Sequence, residues 1–350
     1  MAPMVTVVLV SYASPQATAK AARSVLDQSL TPCEVLIVDN DADGGAARAA
    51  EMPSEVRILH PGSNLGYTGA VNLAASEARG DWLFCLNPDA IASEDCLERL
   101  LEAVDGPDVA IVGAQVLLPD GRINAGENPI SITGISWSGG YGHPREHGPA
   151  RDTAAVSGAA LLVRRDWFAD VGGLCPFFFL YVDDTDLAWR IRLSGGRVRY
   201  CPEAVVVHDY EFDKGAQKWF YLERNRAWAL LSNLQLRTLL LLAPVLLGTE
   251  AVVLARAARE GWLRQKLRAW GSVLAQAPAL LRWRRRVQAA RSVPDGRVLA
   301  LFVGGMDTDL LDADVPGWVD AALEHYRRLV LRLLGWPERG AAPVCRSGRR

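Results

Sequence analysis

Lysine is scarce in this chain: Lys20, Lys214, Lys218 and Lys266 are the only four in 350 residues, and arginine supplies the remaining positive charge. The bias belongs to codon composition rather than chemistry, and the formal net charge is only −2. Near-neutrality excludes a globally basic nucleic-acid binder, and a hydrophobic fraction of 50% excludes a disordered chain. Cys33, Cys85, Cys96, Cys175, Cys201 and Cys345 form no Cys-x-x-Cys pair, so zinc-site spacing is missing and a reduced, cytoplasmic compartment is expected. The N-terminus lacks the basic and apolar segments of a signal peptide and runs straight into a strand-like stretch. There is no internal repeat. The longest apolar run, residues 239–247, falls short of the ~20 residues that a spanning helix needs.

What is present is an alternation of short apolar runs with helical spacing. Val5 to Val10 reads as a strand buried on both faces, and residues 15–28 follow with helical periodicity. Val35-Leu36-Ile37-Val38 is a second strand ending in Asp39-Asn40, and residues 56–59 are a third, with a helix over residues 68–79. Trp82-Leu83-Phe84-Cys85-Leu86 is a fourth, closed by Asn87-Pro88-Asp89. This βαβα order predicts a doubly wound α/β sheet, in which ligands bind beyond the carboxyl ends of the strands. Asp39 and Asp89 sit at such ends. Another strand is expected over residues 109–116, then a glycine- and proline-rich insertion over 119–149. Residues 155–163 read as a strand leading into a short helix, 184–193 as a helix stopped by Gly195-Gly196, and 205–207 as a last strand before His208.

Three sites carry candidate chemistry. Asn87-Pro88-Asp89 is by itself an ordinary turn sequence. At the end of a buried strand, however, Asp89 could hold a hard divalent cation together with phosphate oxygens. Asp183, Asp184 and Asp186 fall at a helix start, where acids complement the dipole. They also follow Phe177-Phe178-Phe179-Leu180-Tyr181, an aromatic run suited to walling a pocket, so one of them could deprotonate a hydroxyl. His208 alone would be an incidental strand-end residue. Arg224 and Arg226 would either meet a diphosphate or decorate a helix.

Taken together, these segments resemble glycosyltransferase family 2, the inverting transferases of GT-A fold, and in particular a bacterial rhamnosyltransferase-like branch. The resemblance covers about residues 4–230. It rests on Val8-Leu9-Val10-Ser11-Tyr12, Val35 to Asn40, Asn64-Leu65-Gly66-Tyr67 with Asn72, and Leu86-Asn87-Pro88-Asp89. It continues through Ser157-Gly158-Ala159, Gly172-Gly173-Leu174, Phe178 to Leu187, and His208.

It implies that Asp39 recognises a uracil or thymine base and that Ser11, Asn64, Gly66, Asn72 and Asn87 lie beside a nucleotide-diphosphate sugar. It further implies that Asp89 and His208 hold Mg²⁺ or Mn²⁺ and that Asp184 is the base. Two positions depart from the pattern. Asn87 replaces the first aspartate of the metal motif, and Asp183 replaces a glutamate, so both Asp183 and Asp184 stay candidates for the base. The expected reaction is inverting transfer from a UDP- or dTDP-sugar, rhamnose among the candidates, to an acceptor glycan or lipid-linked acceptor.

Competing classes lack their signatures. Ser11-Tyr12-Ala13-Ser14 is no dinucleotide fingerprint, and neither is the stretch over 62–69. A nucleotidyltransferase would need a glycine-rich basic loop after the first strand, and none is present. A non-catalytic, membrane-bound sugar-nucleotide-binding protein is the remaining alternative, against which Asp89, Asp184 and His208 together argue.

The expected domains are a GT-A catalytic unit over 1–233, an apolar and arginine-rich helical region over 234–297, and a C-terminal amphipathic helix and tail over 298–350. Between Arg256 and Arg297 ten arginines and Lys266 face only Glu260 and Asp295. With Trp262, Trp270 and Trp283 placed at headgroup level, this region is expected to lie on the inner face of the cell membrane; the alternative is that residues 239–254 pack as core on the domain and the arginines form a solvated face.

Overall fold

The computed structural model describes residues 4–46, 52–208, 215–305 and 317–336. Cys345 and the tail expected from Gly340 lie outside these residues. In chain order the first half contains β1 (Val5–Ser11), α1 (Pro15–Leu26), β2 (Glu34–Asp39), β3 (Arg57–Leu59), α2 (Gly66–Glu77), β4 (Trp82–Leu86), β5 (Ala90–Ala92) and α3 (Cys96–Glu102). Then follow β6 (Val109–Leu117), β7 (Ile123–Ala125), β8 (Glu127–Asn128), β9 (Arg151–Asp152), β10 (Ala155–Val156), β11 (Ala160–Arg164), α4 (Arg165–Asp170), α5 (Asp183–Leu193) and β12 (Arg197–His208). The remainder is helical: α6 (Gln217–Asn233), α7 (Leu236–Arg259), α8 (Leu263–Ala275), α9 (Ala277–Ala290), α10 (Asp295–Leu299) and α11 (Gly317–Leu333).

The main sheet runs β3-β2-β1-β4-β11-β6-β12-β5, with β7 added to β6 and β9 to β12. β1 is parallel to both β2 and β4, and it is buried at all seven positions, as its unbroken apolar run requires. The sheet is mixed rather than wholly parallel, because β11 lies antiparallel between β4 and β6. The segment 155–163 is accordingly two strands. β10 pairs with β8 in a separate two-stranded sheet, and Ser157-Gly158 breaks the chain before β11. β12 is far longer than the apolar run 205–207. Its first half alternates arginine with buried residues, and a register shift between Cys201 and Val205 interrupts its pairing with β6.

The C-terminal helices are not a separate body. Trp228, Leu230, Leu242, Trp283, Val287, Phe302 and Leu331 share one buried cluster with Val8, Leu36 and Leu83 of the sheet. Val303 N donates to Ile130 O and Ile132 N to Val303 O, at 2.9 and 3.0 Å, which fastens the chain after α10 to the insertion before β9. Trp262 and Trp283 are 4% and 5% exposed, and Trp270 donates to Glu250 inside the helical layer. These tryptophans are therefore packing groups, a correction to their expected place at headgroup level. Aromatic area was better used between helices, where Trp219 stacks on Trp262 at 4.6 Å.

Candidate active site

Strand register gathers the candidate residues at one edge of the sheet. Ser11 pairs with Asp39 at the ends of β1 and β2, and Leu9 pairs with Leu86 at the end of β4. Because β11 is antiparallel to β4, its start meets the end of β4: Ala160 pairs with Leu86, and Asn87 N donates to Ala159 O at 2.9 Å. β12 ends at the same edge, where His208 pairs with Ala90 of β5. These registers bring Asp39, Asp89, Gly158 and His208 to the same edge of the sheet.

On the β1–β2 side, Ser11 and Asp39 are fully buried. Ser11 Oγ accepts from Thr18 Oγ1 at 3.0 Å, and Asp39 Oδ1 accepts from Asp41 N at 3.2 Å. In the turn after β2, a Cβ on Gly44 would lie 3.9 Å from Asp39 Oδ2. Asn64 is exposed, and its Oδ1 accepts from Gly66 N at 2.8 Å. Gly66 has φ +68°, and a Cβ there would lie 2.5 Å from the Phe179 ring and carbonyl, so only glycine fits. Asn72 turns away to a different task. Its Nδ2 donates to Leu174 O and its Oδ1 accepts from Leu174 N, both at 2.9 Å, which spends the carboxamide on bracing the Gly172-Gly173 turn.

Asp183 and Asp184 begin α5 after two residues in the left-handed region, Tyr181 at φ +69° and Val182 at φ +63°. A β-branched residue there is strained, and the structure shows what holds it. Asn225 of α6 is wholly buried, and its Nδ2 donates to both Leu180 O and Tyr181 O at 2.9 Å. Arg224 Nε donates to Asn225 Oδ1 and fixes the amide's orientation, while its Nη2 donates to Phe177 O. Phe177 stacks on Trp228 and Phe179 on Tyr221. Residues 221, 224, 225 and 228 share one face of α6 by their three- and four-residue spacing. That face clamps the aromatic run delivering the aspartates.

The two carboxyls differ. Asp184 Oδ2 accepts from Gly158 N at 2.8 Å, and its Oδ1 accepts from Thr185 N at 2.6 Å and from Thr185 Oγ1 at 3.3 Å. Burial raises the pKa of Asp184, and these donors oppose the rise by stabilising the ionised form. Asp183 is more deeply buried, and desolvation followed by the charge of Asp184 pushes it up to about 8. Asp186 is wholly structural: it pairs with Arg190 at 2.8 Å and accepts from Asn233 Nδ2 at 2.9 Å.

Asp89 and His208 approach each other, Nε2 to Oδ1 2.9 Å, with Asn87 Nδ2 3.4 Å from the same ring nitrogen. His208 is buried and the Asp89 side chain is 38% exposed. The separation suits two neighbouring ligands each roughly 2.1 Å from one octahedral ion. Among the described residues no group of three or more His, Cys, Asp and Glu could hold a metal. This pair therefore fits a Mg²⁺ or Mn²⁺ ion completed by diphosphate oxygens and water, and does not fit an all-protein cage. Arg224 is engaged with Asn225 and Phe177 O. Arg226 is buried in a cluster with Glu223, Glu250 and Lys266.

Reading by residue type missed Asn40, Asn225 and Gly158. Asn40 Oδ1 accepts from Leu65 N and its Nδ2 donates to Gly66 O, tying the end of β2 to the loop before α2. Asn40 and Gly158 lie inside motifs quoted above and Asn225 between the two arginines named with them, but neutral amides and a glycine carry no charge to single them out.

Residues 6–172 match the model of glycosyl transferase family 2. An N-acetylglucosaminyl-diphospho-decaprenol L-rhamnosyltransferase of Mycobacterium tuberculosis is 30% identical over 59% of this chain and 76% of its own. A pre-mycofactocin glycosyltransferase of the same organism is 29% identical over 55% of this chain and 42% of its own. Among solved structures, GalNAc-T7 with UDP, GalNAc and Mn²⁺ superposes with a TM-score of 0.53 at 13% identity, covering 66% of this chain and 48% of that one. The fold is the GT-A fold, and the chain belongs to glycosyltransferase family 2 as a glycosyltransferase.

Proposed function

We propose that this glycosyltransferase moves a sugar, with rhamnose the first candidate, from a dTDP- or UDP-sugar to the hydroxyl of a lipid-linked acceptor, inverting the anomeric carbon. The observation that carries this reading is the single sheet edge gathering Asp39, the Asp89–His208 pair and the Gly158-anchored Asp184. The likeness to a decaprenol-linked rhamnosyltransferase supports the choice of donor and acceptor. Five unpaired described cysteines fit a reducing compartment on the cytoplasmic side.

In this reading Asp39 accepts from a pyrimidine N3–H, which uracil and thymine have and cytosine lacks. Asn64 and Gly66 border the donor, and Asn40 holds their loop in place. Asp89 and His208 would hold the divalent ion, which supplies Lewis-acid stabilisation of the leaving diphosphate. Asp184, ionised and oriented by Gly158 and Thr185, takes the proton of the attacking acceptor hydroxyl. Asp183 is the companion that retains its proton, since two adjacent buried carboxyls resist double ionisation. The new glycosidic bond forms as the bond to the diphosphate breaks, on the opposite face of the sugar.

A panel of nucleotide sugars, with turnover read as released nucleoside diphosphate and the linkage assigned by NMR, tests this. Turnover of dTDP- or UDP-sugars with an inverted product is expected. Preference for a CDP- or GDP-sugar would overturn the role given to Asp39, and a retained configuration would overturn the role of Asp184.

A further inference from the structure

Helix α7 presents an inverted face. Leu236, Leu240, Leu247 and Val252 are 66, 66, 70 and 68% exposed, and Pro244, Gly248 and Ala251 between them and Ala255 one turn on are exposed as well. Their spacing makes one stripe, roughly 29 Å long at the helical rise of 1.5 Å per residue. No charge lies between Arg237 and Glu250, and Glu250 turns inward to Arg226, Lys266 and Trp270. The helix is long and apolar enough to cross a membrane by length and composition. Its most apolar 18-residue window has a mean hydropathy of 2.1, and only 11% of that window is buried. This replaces the expectation that its apolar run is too short.

Polar groups frame the stripe. Exposed Arg237 and Arg259 stand near its ends. α11 lies alongside, with Tyr326 Oη donating to Leu241 O at 2.6 Å, and it adds Trp318 at 71% exposure. On α8, which packs against α7, Arg264 and Arg268 are exposed. Other basic groups of the same region are spent internally: Lys266 on Glu223 and Glu250, Arg256 on Glu260, and Arg291 on Asp295.

We infer that the α7 stripe docks this enzyme onto an anionic lipid bilayer, lying in the interface rather than crossing it. An exposed apolar face of this length gains by entering the acyl boundary, and neighbouring arginines gain from anionic headgroups. Crossing is opposed by the inner face of the same helix. It would strip Glu250 from Arg226 and Lys266 and leave two buried cations short of an acid. The inference goes beyond the acceptor reading and does not need it, because lipid binding is measured without any substrate.

The test is co-sedimentation of the full chain with vesicles of phosphatidylcholine containing a quarter phosphatidylglycerol, and with phosphatidylcholine alone. Binding to the anionic vesicles at low salt is expected, reduced on neutral vesicles and at high salt. Leu240→Asp with Leu247→Asp should weaken binding about tenfold or more, from the burial of two leucines. Its melting temperature and circular dichroism should match wild type, since both side chains face outward. Should that pair fail to fold, Leu240→Gln with Leu247→Gln reads the same loss. Four results would overturn the inference: no anionic-vesicle binding at low salt, undiminished binding by the folded variants, resistance to alkaline carbonate extraction, or a dimer in light scattering that the variants abolish without any vesicle binding.

Discussion

At the scale of residues, the proposed mechanism divides one chemistry between the two adjacent aspartates. Asp184→Asn should lower kcat roughly 10²–10⁴-fold, the usual contribution of a general base, with donor affinity measured by calorimetry unchanged. Asp183→Asn imitates the protonated companion and should keep most of the turnover. If Asp183→Asn proves the deader variant, the roles are exchanged. The pH dependence of stability separates them again. A carboxyl whose folded pKa is raised contributes stability that is fully present below its unfolded pKa and is lost as pH rises through the folded value. For Asp183 that loss extends up to about 8. The melting-temperature advantage of Asp183→Asn over wild type should therefore grow between mildly acidic and mildly alkaline pH. A constant difference would remove Asp183 from the account. At the other end of the site, Asp89→Ala should abolish the dependence on Mn²⁺ or Mg²⁺ along with turnover. Full wild-type activity in excess chelator would contradict the proposed ion.

At the scale of elements, α6 holds the aromatic run and the left-handed turn before Asp183 and Asp184. Asn225→Leu leaves the Leu180 and Tyr181 carbonyls without their donor and should relax the left-handed turn that aims Asp184. A fall in kcat with little change in donor affinity is expected, partly restored by Val182→Gly, because glycine adopts positive φ without strain. A loss of melting temperature with an unaltered kcat would make the amide merely structural. The same helix anchors the charge cluster, where Lys266→Met should cost about 3–5 kcal/mol of stability by leaving buried carboxylates short of a cation. Chemical denaturation measures this directly. Little of it was legible in the chain. Asp184 and Asp89 could be found because carboxylates at a helix start and a strand end announce themselves. Asn225 could not, because a buried amide is recognised only by the carbonyls it meets, and these come from residues some 45 positions away.

At the scale of the whole molecule, the α/β core could be read from period and order alone, since β1, β2 and β4 are nearly continuous apolar runs. The antiparallel β11 could not, because apolar runs carry no direction. The boundary expected after Asn233 was drawn from a change in composition, whereas burial runs across it. Trp228 and Leu230 pack with Trp283, Val287 and Leu331 in one cluster. A chain ended at residue 233 would expose that surface and should be insoluble or molten by near-UV dichroism, whereas the full chain should show one cooperative transition.

The position of Glu250 also bears on how the chain is made. While α7 leaves the ribosome, Arg226 is the only cation of the later cluster already synthesised that can neutralise its acid. Lys266 arrives about 16 residues later, roughly one to three seconds at ordinary elongation rates. Until then Glu250 has one cation instead of two, so the ion cluster that holds the inner face of α7 closes only once α8 has begun to form.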